Sequence, residues 1–203
     1  MMKRTLAVII LVISCICSYA QSAEVKRMLK EIEGQWSLDD NGNVTYQRIV
    51  EAPEMKKDDI YNRVLNYFVY NYGSGKSVIQ SQDKEAGLII GKGLYEEVHV
   101  GISLVTTYID AWHILRVDAK DGRARIILTL TEYDEKVVGN DPPPTYSTVK
   151  IAQEFPINEE GIFRTVMGKA FYKSHQKAIA TLDAVEKAIK EGSTSRQIEN
   201  TEW

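Results

Sequence analysis

Asp121-Gly122 lies between two long runs of β-branched and aromatic residues, and nothing else restricts the fold of this 203-residue chain as strongly. Asp-Gly favours a two-residue hairpin, because a type I′ turn needs positive φ at both central positions. Lys120 then pairs with Arg123, and the register of the whole ribbon from Leu104 to Tyr133 follows. Ala119 faces Ala124, Val117 faces Ile126, Leu115 faces Leu128 and His113 faces Leu130. That face predicts the core. The opposite face pairs Asp118 with Arg125, Arg116 with Ile127, Ile114 with Thr129, Trp112 with Thr131 and Asp110 with Tyr133. It is too apolar for an ordinary solvated surface and too charged for a sealed core. Either another element covers it, with the long C-terminal helix or Tyr146–Phe155 as candidates, or it is offered to a partner.

Export follows from the first twenty residues. Lys3 and Arg4 form a charged start, Leu6–Ile16 an apolar stretch and Ser18-Tyr19-Ala20 a small-x-small cleavage site before Gln21. The apolar stretch is shorter than the roughly 18 residues that span a bilayer, and no later segment approaches that length. A rival processing reading takes Val12-Ile13-Ser14-Cys15 as a loose lipoprotein box, which leaves Cys15 as a lipidated N-terminus.

Cys15 and Cys17 are the only cysteines, so a mature chain starting at Gln21 has no disulfide, thiolate nucleophile or cysteine-based metal site. The remaining 183 residues suffice for one domain. They carry 28 acidic and 23 basic residues, a net charge of −5. Nucleic acid is a poor partner for such a chain, since binding its backbone needs a clustered basic surface.

Val25, Met28, Leu29 and Ile32 recur at helical spacing and predict a short amphipathic helix over Ala23–Glu33. Trp36-Ser37-Leu38, the turn Asp39–Asn43 and Val44–Val50 predict strand, turn and strand; Val44 and Val50 stand where a calcium loop needs Gly and Glu. Lys56–Tyr72 reads as a helix of about four turns lying across the sheet. Its aromatics, Tyr61, Tyr67, Phe68, Tyr70 and Tyr72, fit core and rim better than a binding strip. Gly73-Ser74-Gly75-Lys76-Ser77 lacks the first glycine of a phosphate loop and runs from helix to strand, the wrong order for one.

Ser77–Gln82 and Leu88–Lys92 predict a further hairpin, and Leu94–Gly101 a strand leading into the ribbon; Gly91 and Gly93 suggest a bulge or bend. After the stiff Gly139–Pro144 loop, Tyr146–Phe155 is an edge strand or an extended excursion. From Phe163 to Ile189 apolar residues recur at three- and four-residue spacing, predicting a long helix that Gly192 terminates. Domain boundaries follow as 1–20 signal, 21–35 helical extension, 36–192 one α+β domain and 193–203 polar tail.

Four short stretches carry a family resemblance: Gly42–Val50, Lys57–Arg63, Gly87–Gly93 and Lys120–Arg125. In this order, behind a signal segment, they resemble a family of exported Bacteroidetes domains of unknown function described as having a TATA-binding-protein-like fold. The resemblance covers roughly residues 36 to 135 and implies a curved antiparallel sheet with helices packed on one face. It supplies no catalytic residues, and fold likeness does not import DNA binding.

His99, His113 and His175 have no second ligand at zinc spacing and read as structural, so no metal site or cofactor is expected. No serine sits in a nucleophile elbow. Asp110, Glu132, Asp134 and Glu135 gather at the far end of the ribbon from the turn and read as solvated strand-end charges; an envelope hydrolase using such carboxylates is the alternative, kept only by the number of acidic residues. The leading expectation is a non-catalytic binding module of the cell envelope, taking an envelope protein, peptide or glycan on the face with Trp112, Arg116, Arg125 and Tyr133.

Overall fold

A computed structural model describes residues 23–71, 78–139, 143–153 and 164–192. The signal segment with Cys15 and Cys17, the Gly73–Ser77 loop and the polar tail lie outside the described residues. The ribbon forms as strands β5 (Thr106–Lys120) and β6 (Arg123–Val138). Preceding them are α1 (residues 23–31), β1 (Ser37–Leu38), β2 (Val44–Glu51), α2 (Lys57–Asn71), β3 (Val78–Asp83) and β4 (Leu88–Ile102). After β6 come β7 (Thr145–Lys150), a 3-10 turn at Ile151–Gln153 and α3 (Arg164–Glu191).

All strand pairings are antiparallel, in the order β1-β2-β6-β5-β4-β3. β7 shares one edge of β6 with β2: β2 pairs with residues 123–129 and β7 with residues 132–137. Alternate side chains of β5, from Ile109 to Ala119, are buried under helices α2 and α3. The result is a curved antiparallel sheet with helices on one face, the α+β architecture expected from the sequence.

Ladder pairs from Lys120–Arg123 to His113–Leu130 follow the predicted register. One residue later they do not. Thr131 is an extra residue on β6, so Trp112 faces Glu132, Ala111 faces Tyr133 and Asp110 faces Asp134. A bulge of one residue inverts the parity of everything beyond it. Tyr133 therefore lies on the covered face, fully buried, and not beside Trp112 as expected.

The hairpin turn also departs from type I′. Gly122 has φ +76°, but Asp121 is not among the residues with positive φ. Tertiary contacts hold the turn instead: Ala52 N–H donates to the Gly122 carbonyl at 2.8 Å and Gly122 N–H to the Met55 carbonyl at 2.9 Å. A bulge falls beside Gly91, where Gln80 of β3 is extra between the Ile79–Gly91 and Ser81–Ile90 pairs, and the glycine has a second role. A Cβ there would overlap the ring of Phe68, so glycine lets α2 press directly onto β4.

α3 is fastened at several points. Arg63 of α2 donates to the carbonyls of Ile189 and Lys190 at 2.7 and 2.8 Å, satisfying acceptors that a helix end leaves open. Arg48 of β2 pairs with Asp183 and Glu186 at 2.6 and 3.0 Å, and Tyr95 shares a 2.6 Å hydrogen bond with Thr181. α1 packs on the outside of α3, with Lys169 on Glu24 and the Tyr172 hydroxyl donating to Glu31. Phe171 is fully buried and meets Trp36 edge-on at 5.5 Å.

Candidate partner-binding face

Neither α3 nor β7 covers the second face of the sheet: α3 lies on the same side as α2, and β7 extends the sheet in its own plane. The open face of β5 presents Tyr108, Asp110, Trp112, Ile114, Arg116 and Asp118, all half-buried or exposed, alternating with the buried core residues. Strand periodicity alone produces this division.

Asp118 organises one end. Arg116 donates to it from Nε and Nη2, the latter at 2.8 Å, and Arg125 approaches its other oxygen at 2.9 to 3.0 Å. Burial pushes the Asp118 carboxyl up, but the two guanidinium groups outweigh it and hold the group below its ordinary value. The Arg116 guanidinium rises in turn through its hydrogen bond to Asp118. Both arginines are fixed in place with more than two-fifths of each side chain exposed.

Trp112 organises the middle. Its Nε1–H donates to Asp134 Oδ2 at 2.7 Å, and the Thr148 hydroxyl donates to the other oxygen of the same carboxylate at 2.6 Å. Lys92 lies 4.4 Å from the centre of the Trp112 ring and 3.4 Å from Glu132, a cation–π contact and an ion pair made by one ammonium. Between the tryptophan and the arginines lie Ile114, 37% exposed and opposite Lys92 in the ladder, and Thr129, which shares a 3.0 Å hydrogen bond with Thr45; Ile49, 48% exposed, stands opposite Arg125.

Beyond Trp112 the strand ends frame an open groove of about 1100 Å³, lined by Glu96, Glu97, Tyr108, Asp110, Asp134, Glu135, Lys136, Tyr146, Ser147 and Thr148. A bulge between Tyr95 and His99 supplies Glu96 and Glu97. Glu97 has φ 46°, and its N–H donates to Asp110 Oδ1 at 2.7 Å. At the turn end, a depression of about 270 Å³ is lined by Lys120, Arg123 and Arg125 around Asp118.

Of the four residues expected on this face, Trp112, Arg116 and Arg125 are on it; Tyr133 is in the core. Sequence reasoning missed Lys92 and the acidic bulge. Glu96-Glu97 does carry a signal, since two successive charges inside a strand break its alternation.

Comparison with known proteins adds a family likeness over part of the chain. Residues 46–134 match the family model of the domain of unknown function DUF4468, with TBP-like fold. Two solved structures share the fold. A DUF4468 family protein from Bacteroides ovatus is 17% identical with a TM-score of 0.53, the alignment covering 81% of this chain and 94% of that one. A TBP-like protein from Parabacteroides distasonis is 20% identical with a TM-score of 0.52, covering 73% and 96%. No curated protein matches the chain. The DUF4468 match begins at Tyr46 in β2 and ends at Asp134, so it spans the ribbon and most of the open face. Among the described residues no cluster of three metal-ligating side chains occurs, and no helix is long and apolar enough to cross a membrane.

Proposed function

We propose that this protein is a non-catalytic binding module exported to the cell envelope, whose open sheet face receives an envelope protein, peptide or glycan. One observation carries the reading: Trp112, Arg116 and Arg125 stand on a face that none of the described elements covers, each already fixed by a carboxylate. Anchors of these types, held rigid before binding, lose little entropy when a partner arrives. Export rests on the character of Met1–Ala20, with lipid attachment at Cys15 as the alternative form of envelope retention.

The test is photo-crosslinking in the living host, with a crosslinking amino acid at Trp112 or at Lys187, an exposed α3 position on the other side of the sheet. The reading expects defined adducts from Trp112 and none from Lys187, with the Trp112→Ala, Arg125→Ala double variant losing partner capture by at least ~10-fold. Capture unchanged in that variant would overturn the assignment of the face. The hydrolase alternative takes Asp110 and Asp134, now facing each other across the ribbon in the groove. It expects Asp110→Asn to abolish a hydrolytic activity on envelope material while partner capture persists.

A further inference from the structure

We propose that the tip of the β4–β5 hairpin is a membrane contact, which dips Ile102, Leu104 and Val105 into the surface of a lipid bilayer. The tip lies apart from the Trp112 face, and its role does not depend on what that face binds.

Exposure singles it out. Leu104 is 96% exposed, Ile102 82% and Tyr146 74%, the three highest values for large apolar side chains among the described residues, and all three stand at the same end of the sheet. Val105 adds another apolar side chain beside Leu104. Single exposed apolar residues are ordinary, but a cluster on a protruding turn marks a contact. Val166 of α3 approaches the hairpin at Gly101 and Gly139 lies against Val105, while Leu104 projects past both.

Polarity along the strands selects lipid as the contact. From Val98 to Ile109 the chain has no Asp, Glu, Lys or Arg, and the described residues beside the tip, 137–139 and 143–145, carry none either. About 13 Å behind Leu104, at the rise of a strand, comes a ladder row of Tyr108, Lys136 and Tyr146, with the Lys136 ammonium 5.4 Å from the Tyr108 ring. Carboxylates of the sheet begin behind that row, with Glu135 opposite Ile109 and Asp134 opposite Asp110. A bilayer changes in the same order, from acyl chains through headgroups to water. Tyrosines rest at headgroup level, and a lysine reaches from there toward phosphate. A pocket on a protein partner would account for the tip but not for the row behind it.

Depth and backbone agree with this placement. Interfacial elements bury their apolar side chains by roughly 5–10 Å, which the projection of Leu104 beyond the tyrosine row allows. Lipid also requires that the chain bring its own hydrogen bonds. The β4–β5 ladder runs to the Ile102–Thr106 pair, and the Ser103 N–H donates to the Val105 carbonyl at 2.9 Å, closing the turn. With a net charge of −5 after residue 20, the protein gains nothing from anionic headgroups, so apolar insertion has to hold it. The attachment is reversible, comparable to that of one acyl chain.

Flotation with vesicles of phosphatidylcholine, with and without added phosphatidylglycerol, tests this on the full chain from Gln21, which carries no acyl group. At about 1 mM lipid a partition constant of roughly 10⁴ M⁻¹ binds most of the protein. The wild type should float with both vesicles and stay bound when salt is raised to about 1 M. Leu104→Glu should weaken binding by at least ~10-fold, whereas Val69→Glu, the same kind of change at an exposed site on α2, should leave it unchanged; circular dichroism verifies that both variants fold. Both cysteines precede Gln21, so Leu104→Cys and Lys187→Cys each give a single labelling site. A dye at position 104 should be quenched by a lipid-borne quencher, and one at position 187, exposed on α3, should not. Failure of the wild type to float, release by salt, or equal binding by Leu104→Glu would overturn the inference. So would a protein adduct from position 104 in the living host without flotation, which would make the tip a protein contact. Crosslinking at Trp112 is read separately, so either result can fail while the other stands.

Discussion

The carboxylate of Asp121 accepts the backbone N–H of Lys57 at 2.7 Å, so the turn of the central ribbon caps a helix 64 residues earlier in the chain. The same turn that starts the β5–β6 ladder thus fixes where α2 begins. Asp58 and Asp59 in the first turn of α2 add the negative charge that a helix N-terminus favours.

Replacing Asp121 by Ala removes the cap and is expected to cost about 1 kcal/mol, whereas Asp121→Asn, which keeps an acceptor oxygen, costs a few tenths. Urea unfolding of the three proteins decides the matter. Equal losses for Ala and Asn would mean that the charge, and not the hydrogen bond, holds the helix start.

Gly91 and Phe68 form a matched pair, since a Cβ at Gly91 would lie where the phenyl ring is. Gly91→Ala is expected to destabilise by about 1–3 kcal/mol, the usual cost of overpacking a filled core. Phe68→Leu frees space at that point, so the double variant should be less destabilised than the sum of the two single changes. Strict additivity in the cycle would show that the strain at Gly91 lies in the backbone.

Much of the ribbon was legible because one dipeptide sets the register and the period of two does the rest. Reading stopped at Leu130, where Thr131-Glu132 puts two polar residues in succession before Tyr133. That break marks a bulge, and counting straight through it placed Tyr133 on the wrong face. The face that α3 covers was not legible at all: its apolar stripe predicts burial, but only tertiary contacts such as Arg63 to the Ile189 carbonyl choose the side. Trp112, Arg116 and Arg125 do lie on the open face, the two arginines because they precede the bulge in the ladder and Trp112 because the extra residue is on β6 and leaves the period of β5 intact. The acidic groove was only half visible, because Glu96 and Glu97 reach it through a second bulge.

Tyr133 now makes a sharp prediction. Tyr133→Ala should cost about 3–5 kcal/mol, the penalty of emptying an aromatic site in a packed core, and leave the partner surface chemically unchanged. Deleting Thr131 removes the extra residue while keeping Tyr133 opposite Ala111. Thermal melts should therefore rank Tyr133→Ala far below the deletion. The reverse order would mean that the bulge is required for folding.

All three histidines are buried, and this makes stability fall with acid. His113 of β5 is 1% exposed, stacks on Tyr95 at 4.0 Å, and burial pushes it down to about 3 from 6.5. Burial also lowers His99, helped by Lys173 and Lys169 of α3, and lowers His175, which shares a 3.2 Å hydrogen bond with Tyr46 of β2 and is partly offset by Glu31 of α1. In each case the unfolded chain binds its proton first. Stability is thus full above the unfolded value near 6.5 and is lost as pH falls toward the folded values, by about 1.4 kcal/mol per pH unit for each histidine still neutral in the fold. Asp118, also held below its ordinary value, adds its loss only in stronger acid, below about pH 4. Urea midpoints between pH 7.5 and 4.5 should drop steeply, and His113→Gln should flatten the slope by one proton while lowering the plateau. A slope unchanged in that variant would place the titrating group elsewhere. Because Lys169 and Lys173 of α3 lie near His99 and α3 itself carries His175, hydrogen exchange in α3 should speed up before exchange in β5 and β6 as the pH falls.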